Sequence, residues 1–312
     1  MTNFKIIFYG TPDFAIPAIS ILIKNGFDVC AVVTVEDRKA GRGLKVQESA
    51  IKKFAKKNNI SVLQPSNLKD ESFLDEINNF NADLQVVVAF RKLPKVVWEM
   101  PAKGTINLHA SLLPHYRGAA PINWAIINGE RKTGVTTFFI NQNIDTGDII
   151  MQDEVSITDV ETAESLHDKL SDVGAKLLLK TVNAIMNGEN PRLQQKEETI
   201  IKKAPKINKE DCRINWSKNI DELYNFIRGL SPYPCAWTTF DKKIYKIYSV
   251  TKEPVNHNDK AGTIESNYKT FLKIKVKGGN IVLKEIQMQG RKRMAVEDFL
   301  RGANIDKDSC FV

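Results

Sequence analysis

Two runs in the first hundred residues are apolar almost throughout and too short for buried helices: Phe4–Tyr9 (FKIIFY) and Leu84–Phe90 (LQVVVAF). A strand with one wet face alternates apolar and polar residues. A strand covered on both faces does not, and such strands belong to parallel sheets sandwiched between helices. The intervening sequence supplies the helices. Phe14–Asn25 is closed by Gly26, Ser49–Asn58 (SAIKKFAKKN) has amphipathic spacing, and Glu71–Asn78 is a third. Asp28–Val35, Ile60–Leu63, Thr105–His109 and Gly134–Ile140 read as further strands, and a long helix over Ala163–Met186 stops at Asn187-Gly188. The pattern predicts an α/β fold built on a parallel-rich sheet.

The character changes after Gly188. Residues 188–206 are polar, carry Pro191, Pro205 and the pair Lys202-Lys203, and read as a linker. Beyond Trp216 come one helix, Ile220–Gly229, and short strands around Ala236–Phe240, Lys243–Val250, Thr263–Glu265, Phe271–Val276 and Asn280–Gln287. Short strands with Gly and Lys at the turns predict a small β-barrel. The 312 residues therefore divide into a domain at 1–188, a linker at 189–206 and a second domain at 207–312. Charge divides the same way. Between Lys203 and Val312 there are 16 Lys and 5 Arg against 13 acids, which accounts for the whole net charge of +8. That surplus suits either a domain that binds a polyanion, nucleic acid first among them, or a merely soluble basic domain.

Several classes are excluded. The first strand-to-helix turn, Gly10-Thr11-Pro12-Asp13-Phe14, lacks the glycine spacing of a dinucleotide site. The chain has no phosphate-binding P-loop, no G-x-S-x-G elbow and no His pair at metal-ligand spacing, so no metal is expected. Cys30, Cys212, Cys235 and Cys310 are too sparse and irregular for a disulfide framework. No apolar run reaches a membrane span, and Met1–Gly10 does not read as a signal peptide, so a soluble, cytoplasmic protein is expected.

The informative stretch is Asn107-Leu108-His109-Ala110-Ser111-Leu112-Leu113-Pro114. In a strand, Asn107 and His109 share one face and Leu108 takes the other. An amide donor and an imidazole then stand together at a strand's carboxyl end, where open parallel sheets bind ligands. A later polar turn, Asn143–Asp148, could return Asp145 to orient His109. From residue types alone, a catalytic histidine and a satisfied structural one both remain open. Ser111 beside His109 is no hydrolase nucleophile without an elbow. A second stretch, Val35–Lys45, holds Arg38, Lys39, Gly41, Arg42, Gly43 and Lys45 and reads as a mobile basic arm or a solvated loop. Trp98, Trp124, Trp216 and Trp237 read as core. Lys273, Lys275 and Lys277 alternate on one strand and predict a basic stripe, joined by Lys284, Arg291, Lys292 and Arg293 as phosphate contacts.

The run NLHASLLPHYRGAAPINWAI, with FYGTPDFA before it and NIDTGDII after it, resembles the folate-dependent formyltransferases. KINKEDCRINWSKNIDELYNFIRGLSPYP and LKEIQMQGRKRMAVEDFLRG extend the similarity over nearly the whole chain and narrow it to the methionyl-tRNA formyltransferase family. The resemblance implies a Rossmann-like catalytic domain and an OB-like C-terminal domain that binds tRNA. It implies 10-formyltetrahydrofolate as formyl donor, methionyl initiator tRNA as acceptor, and a catalytic trio at Asn107, His109 and Asp145. In this scheme Asn107 donates to the oxyanion, His109 moves protons, and Asp145 fixes its tautomer and orientation. Ser111, Leu112, Leu113 and Pro114 fall on the segment that holds the pterin, and Phe90 and Arg91 fall on a folate-lining turn. Arg91 departs from the family there, where a Gly is usual. Arg42 matches the arm that meets the acceptor end of the tRNA, with Arg38, Lys39, Gly41, Gly43 and Lys45 around it; Lys273, Lys275, Arg291 and Arg293 are the C-terminal RNA candidates. A monomer is expected. The competing expectations are formylation of an amino-sugar nucleotide, which the basic arm argues against, and a non-catalytic RNA-binding protein on the same scaffold.

Overall fold

The first apolar run forms β1 (Lys5–Gly10), followed by a 3-10 turn at Asp13–Ala15, α1 (Ile16–Lys24) and β2 (Asp28–Val33). Next come β3 (Arg38–Ala40), β4 (Lys45–Gln47), α2 (Ala50–Lys57), β5 (Ser61–Leu63), α3 (Glu71–Asn79), β6 (Leu84–Val88) and α4 (Lys95–Trp98). The chain continues through β7 (Thr105–His109), β8 (Arg117–Gly118), α5 (Pro121–Ile127), β9 (Lys132–Phe139), β10 (Ile149–Ser156) and α6 (Ala163–Met186). After β11 (Lys203–Ala204) come α7 (Ile220–Gly229), β12 (Ala236–Phe240), β13 (Lys243–Pro254), β14 (Ile264–Ser266), β15 (Leu272–Val276), β16 (Gly279–Met288), β17 (Met294–Ala295) and α8 (Val296–Leu300). The computed structural model describes residues 3–40, 45–189, 191–196, 200–302 and 310–311. Gly41, Arg42 and Gly43 of the basic stretch lie outside the described residues.

By contacts the chain divides into two units. The first holds residues 1–118, 133–155 and 167–203; the second holds 119–132, 156–166 and 204–312. The first is built on a seven-stranded sheet in the order β10-β9-β7-β6-β1-β2-β5. The ladders β1–β2, β1–β6, β2–β5 and β6–β7 are parallel, and β7–β9 is antiparallel. The expected strand Gly134–Ile140 is thus present, but it turns back along β7 instead of extending the parallel series, and it is bonded to β10, a strand not expected from sequence. Registry places Val33, Tyr9, Val87, Asn107 and Phe138 in one row across five strands. Tyr9, Val33 and Val87 pack with Phe73 and Ile77 of α3 and Val97 of α4 into one core. On the other face Leu108 lies against Gly174 of α6, where an added Cβ would stand 3.0 Å from a Leu108 methyl. The alternation of Asn107, Leu108 and His109 follows from that pleat.

The stretch expected to be an unpacked arm has structure at its base. β3 and β4 pair antiparallel, Arg38 with Gln47 and Lys39 with Val46. Strands of three residues give too little period to be read from sequence.

The second unit carries a six-stranded antiparallel sheet, β12-β13-β16-β15-β14 with β17 on β16. Register shifts near Ser249 kink the long β13 against β16, the device by which small β domains bend a strand. α7 begins where Asn219 and Glu222 cap each other's backbone in a capping box. Trp216 and Trp237 are buried here, their indole N–H groups donating to Thr238 Oγ1 and the Lys209 carbonyl. Among the described residues no helix is long and apolar enough to cross a membrane.

Candidate active site

β7 delivers two polar side chains to the carboxyl edge of the sheet. The Asn107 side chain is half-buried and, among the described residues, makes no hydrogen bond, so its amide is free to donate. His109 is 7% exposed, and its Nε2 lies 2.9 Å from the Tyr116 carbonyl oxygen. A carbonyl only accepts, so Nε2 carries the proton and Nδ1 of the neutral ring presents a lone pair. Nδ1 faces Asp145 Oδ2 at 3.9 Å. This differs from the expectation that Asp145 sets the tautomer. The Tyr116 carbonyl sets it, and the Asp145 carboxylate stands beyond hydrogen-bond distance of the ring.

Asp145 sits on a tight turn with φ of +54°. Its Oδ2 accepts from the Gly118 N–H at 2.9 Å. Gln195 holds the turn from outside, donating its amide to the carbonyls of Asp145 at 3.0 Å and Gly147 at 2.9 Å. Arg117 Nε donates to the Gln195 oxygen at 3.0 Å and completes the brace. Gln195 was missed because it falls in the segment read as linker, and nothing in its neighbourhood marks it.

The segment Ser111–Pro114 is turned largely inward. Ser111 is fully buried and its hydroxyl donates to the His115 carbonyl at 2.7 Å, so it does not face His109. Thr136 Oγ1 donates to the Ser111 carbonyl and accepts from Leu113 N–H, while Gln152 donates to the Leu113 carbonyl and to Thr136. Leu113 packs on Phe138 and Ile149, Pro114 is buried, and Leu112 is half-buried. On the neighbouring strand end, Phe90 lies tilted at 58° to Tyr9 with ring centroids 5.7 Å apart. Arg91 is exposed and turns away to donate to the carbonyls of Pro65 and Ser66 at 2.5 and 3.0 Å. Two hydroxyls at the end of β1, Tyr9 Oη and Thr11 Oγ1, are buried without a partner among the described residues. Burial lifts the Tyr9 phenol far above the usual tyrosine range. The apolar pattern of β1 concealed both.

Two lysines of the C-terminal stripe have acidic neighbours. Lys273 pairs with Glu253 at 2.7 Å, and Lys275 pairs with Glu265 and, at 3.7 Å, with Asp259. Lys273 and Lys275 are therefore charge-compensated, whereas Lys277 is exposed; Glu265 holds the Lys275 ammonium above its usual range. Arg293 pairs with Glu285 and lies 4.4 Å from the Tyr248 ring centroid. Arg291 and Lys292 are exposed and carry no ion pair among the described residues. Among those residues there is also no cluster of His, Cys, Asp or Glu able to hold a metal.

Similarity to known proteins agrees with this geometry. The family described as Formyl transferase matches residues 3–182, and the Formyl transferase C-terminal domain matches residues 206–304. The methionyl-tRNA formyltransferase of Flavobacterium johnsoniae is 50% identical over 99% of both chains. That of Parabacteroides distasonis is 46% identical over 96% of both. Among solved structures, an N-formyltransferase from Helicobacter canadensis superposes with a TM-score of 0.67 at 22% identity, covering 93% of this chain and all of its own. The chain belongs to the formyl transferase family, among its methionyl-tRNA formyltransferases.

Proposed function

We propose that this chain moves the formyl group of 10-formyltetrahydrofolate onto the α-amino group of methionyl initiator tRNA. Two things support the reading. Near-full-length relatives carry the name methionyl-tRNA formyltransferase, and Asn107 and His109 stand together at the carboxyl edge of β7. The unspent Asn107 amide is the observation that carries the mechanism.

The neutral amine attacks the formyl carbon, and the carbonyl π pair moves onto oxygen. Asn107 donates to that oxyanion, an interaction commonly worth about 2.7–4 kcal/mol of barrier. His109 Nδ1 takes the proton the amine sheds, the imidazolium is stabilised by Asp145, and the proton passes to N10 of the departing folate as the C–N10 bond breaks. The products are the formamide and tetrahydrofolate, with no covalent enzyme intermediate. Arg38 and the hairpin it opens, with Arg291 and Lys292, would meet RNA phosphate. The solved Helicobacter canadensis neighbour is a complex with folinic acid and dTDP-3-aminofucose. That pairing supports a folate donor and supplies the control acceptor. We place the reaction in the cytoplasm, with the enzyme acting as a monomer.

The test is to supply 10-formyltetrahydrofolate with methionyl-tRNA or with an amino-sugar nucleotide and follow tetrahydrofolate release. Release with methionyl-tRNA alone is the expected result; release with the sugar alone overturns the reading.

A further inference from the structure

The paired hairpin β3–β4 has three residues in each strand. A two-stranded ribbon of that size is marginal in water without help from outside. Help comes from one lysine. Asp37 leads into β3 and Glu48 leads out of β4, so the two acids stand at the two feet of the hairpin. Lys52, on α2 and 9% exposed, reaches both feet. Its ammonium donates to Asp37 Oδ2 at 2.6 Å and to Gln64 Oε1 at 2.7 Å, and lies 3.6 Å from Glu48 Oε1. Three N–H groups thus face three acceptors. Gln64 returns its own amide to Asp37 Oδ1 at 2.9 Å and to the Val35 carbonyl at 2.7 Å, fixing the leading foot to the end of β5. Ser49 caps α2 through the Lys52 N–H and meets Thr34 at 2.9 Å. Lys56 holds Glu48 from the other side.

We propose that Lys52 is a positioning residue for the acceptor RNA. It draws the two feet of the hairpin together on α2, so that the basic hairpin is presented in one direction. It also neutralises two carboxylates that would otherwise stand where a phosphate chain approaches. The hydrogen bonds from Lys52 and Gln64 hold Asp37 below the usual carboxylate range. Lys52 touches no reacting group. The proposal rests on the reading that the hairpin meets tRNA.

The experiment compares Lys52→Met, Lys52→Arg and Arg38→Glu with the unaltered protein. It measures kcat and KM for methionyl-tRNA at saturating donor, donor Kd and Tm. Lys52→Met should raise KM for methionyl-tRNA by about tenfold, or 1.4 kcal/mol. Its kcat at saturating tRNA should stay within about twofold and its donor Kd should not change. Lys52→Arg, which keeps the charge, should recover most of the loss. If Arg38→Glu raises KM and Lys52→Met does not, the inference is wrong and the hairpin reading stands. If Arg38→Glu leaves KM unchanged, the hairpin reading fails and takes the inference with it. A fall in Tm accompanied by equal losses in kcat and donor binding would make Lys52 merely structural and also overturn the proposal.

Discussion

Replacing Gly147 by Ala tests whether the position of Asp145 sets the rate. A Cβ built on Gly147 would stand 1.6 Å from the Phe139 carbonyl oxygen and 2.8 Å from its carbon. Real Cβ atoms do not come within 3.0 Å, so one backbone must withdraw by about 1.4 Å. Phe139 ends β9, paired with Ile106 of β7 and bonded through its N–H to Asp148, so the strand is the stiffer partner. The turn must therefore move, and Asp145 lies two residues away on it. A displacement near 1 Å of a catalytic group costs about a hundredfold in rate, or about 2.7 kcal/mol of barrier. Overpacking of this kind costs about 1–3 kcal/mol of stability, which leaves a folded protein. Gly147→Ala should lower kcat about a hundredfold in single-turnover formyl transfer while donor Kd and the far-ultraviolet spectrum stay as they were. A kcat within about threefold of the unaltered protein would refute the link between this turn and the chemistry.

Alanine at His109 or at Asp145 should each lower kcat, by about 10²–10⁴ for the imidazole. The double variant should cost less than the product of the two, because the carboxylate acts through the ring; multiplicative losses would separate them. Within the second unit, the buried Arg228 donates to the carbonyls of Thr158 and Glu161 and to Asn225 Oδ1 at 2.8–3.0 Å. Arg228→Met should lower urea stability by about 1.5–3 kcal/mol, the loss of hydrogen bonds from a buried charged group to partly buried and exposed acceptors; a shift under about 0.5 kcal/mol would count against that role. The log–log salt dependence of tRNA affinity should shallow by about 0.7–0.9 when Arg291 or Lys292 is changed to Ala. Lys273→Ala should leave the slope alone because Glu253 already satisfies that charge, and an equal effect from all three would restore the stripe.

The elements legible in the sequence were those whose period or composition is set by burial. β1 and β6 lie inside a parallel sheet and had to be apolar on both faces, and α6 has the bounds its Asn-Gly stop predicts. Strand alternation likewise put Asn107 and His109 on one face before any fold was known. The antiparallel return of β9 and the presence of β10 were hidden because strand direction is decided by the connection, not by the strand's own residues. β10 also begins apolar (Ile149, Ile150) and ends in Asp153, Glu154 and Ser156, which blurs its period.

What remained out of reach in the site is backbone and long-range polar geometry. The tautomer of His109 is set by a carbonyl, which every residue has, so the Tyr116 side chain gives no signal of it. Gln195 reaches Asp145 across 50 positions of sequence. Lys273 and Lys275 look like free charge until neighbouring chain brings Glu253, Asp259 and Glu265 beside them. A strand's alternation says which face a charge takes, while its partner depends on registry with other strands. The same separation explains Lys52. On its helix it reads as one more solvated lysine in SAIKKFAKKN, and only the return of the chain through Asp37, Glu48 and Gln64 turns it into the point where the hairpin is held.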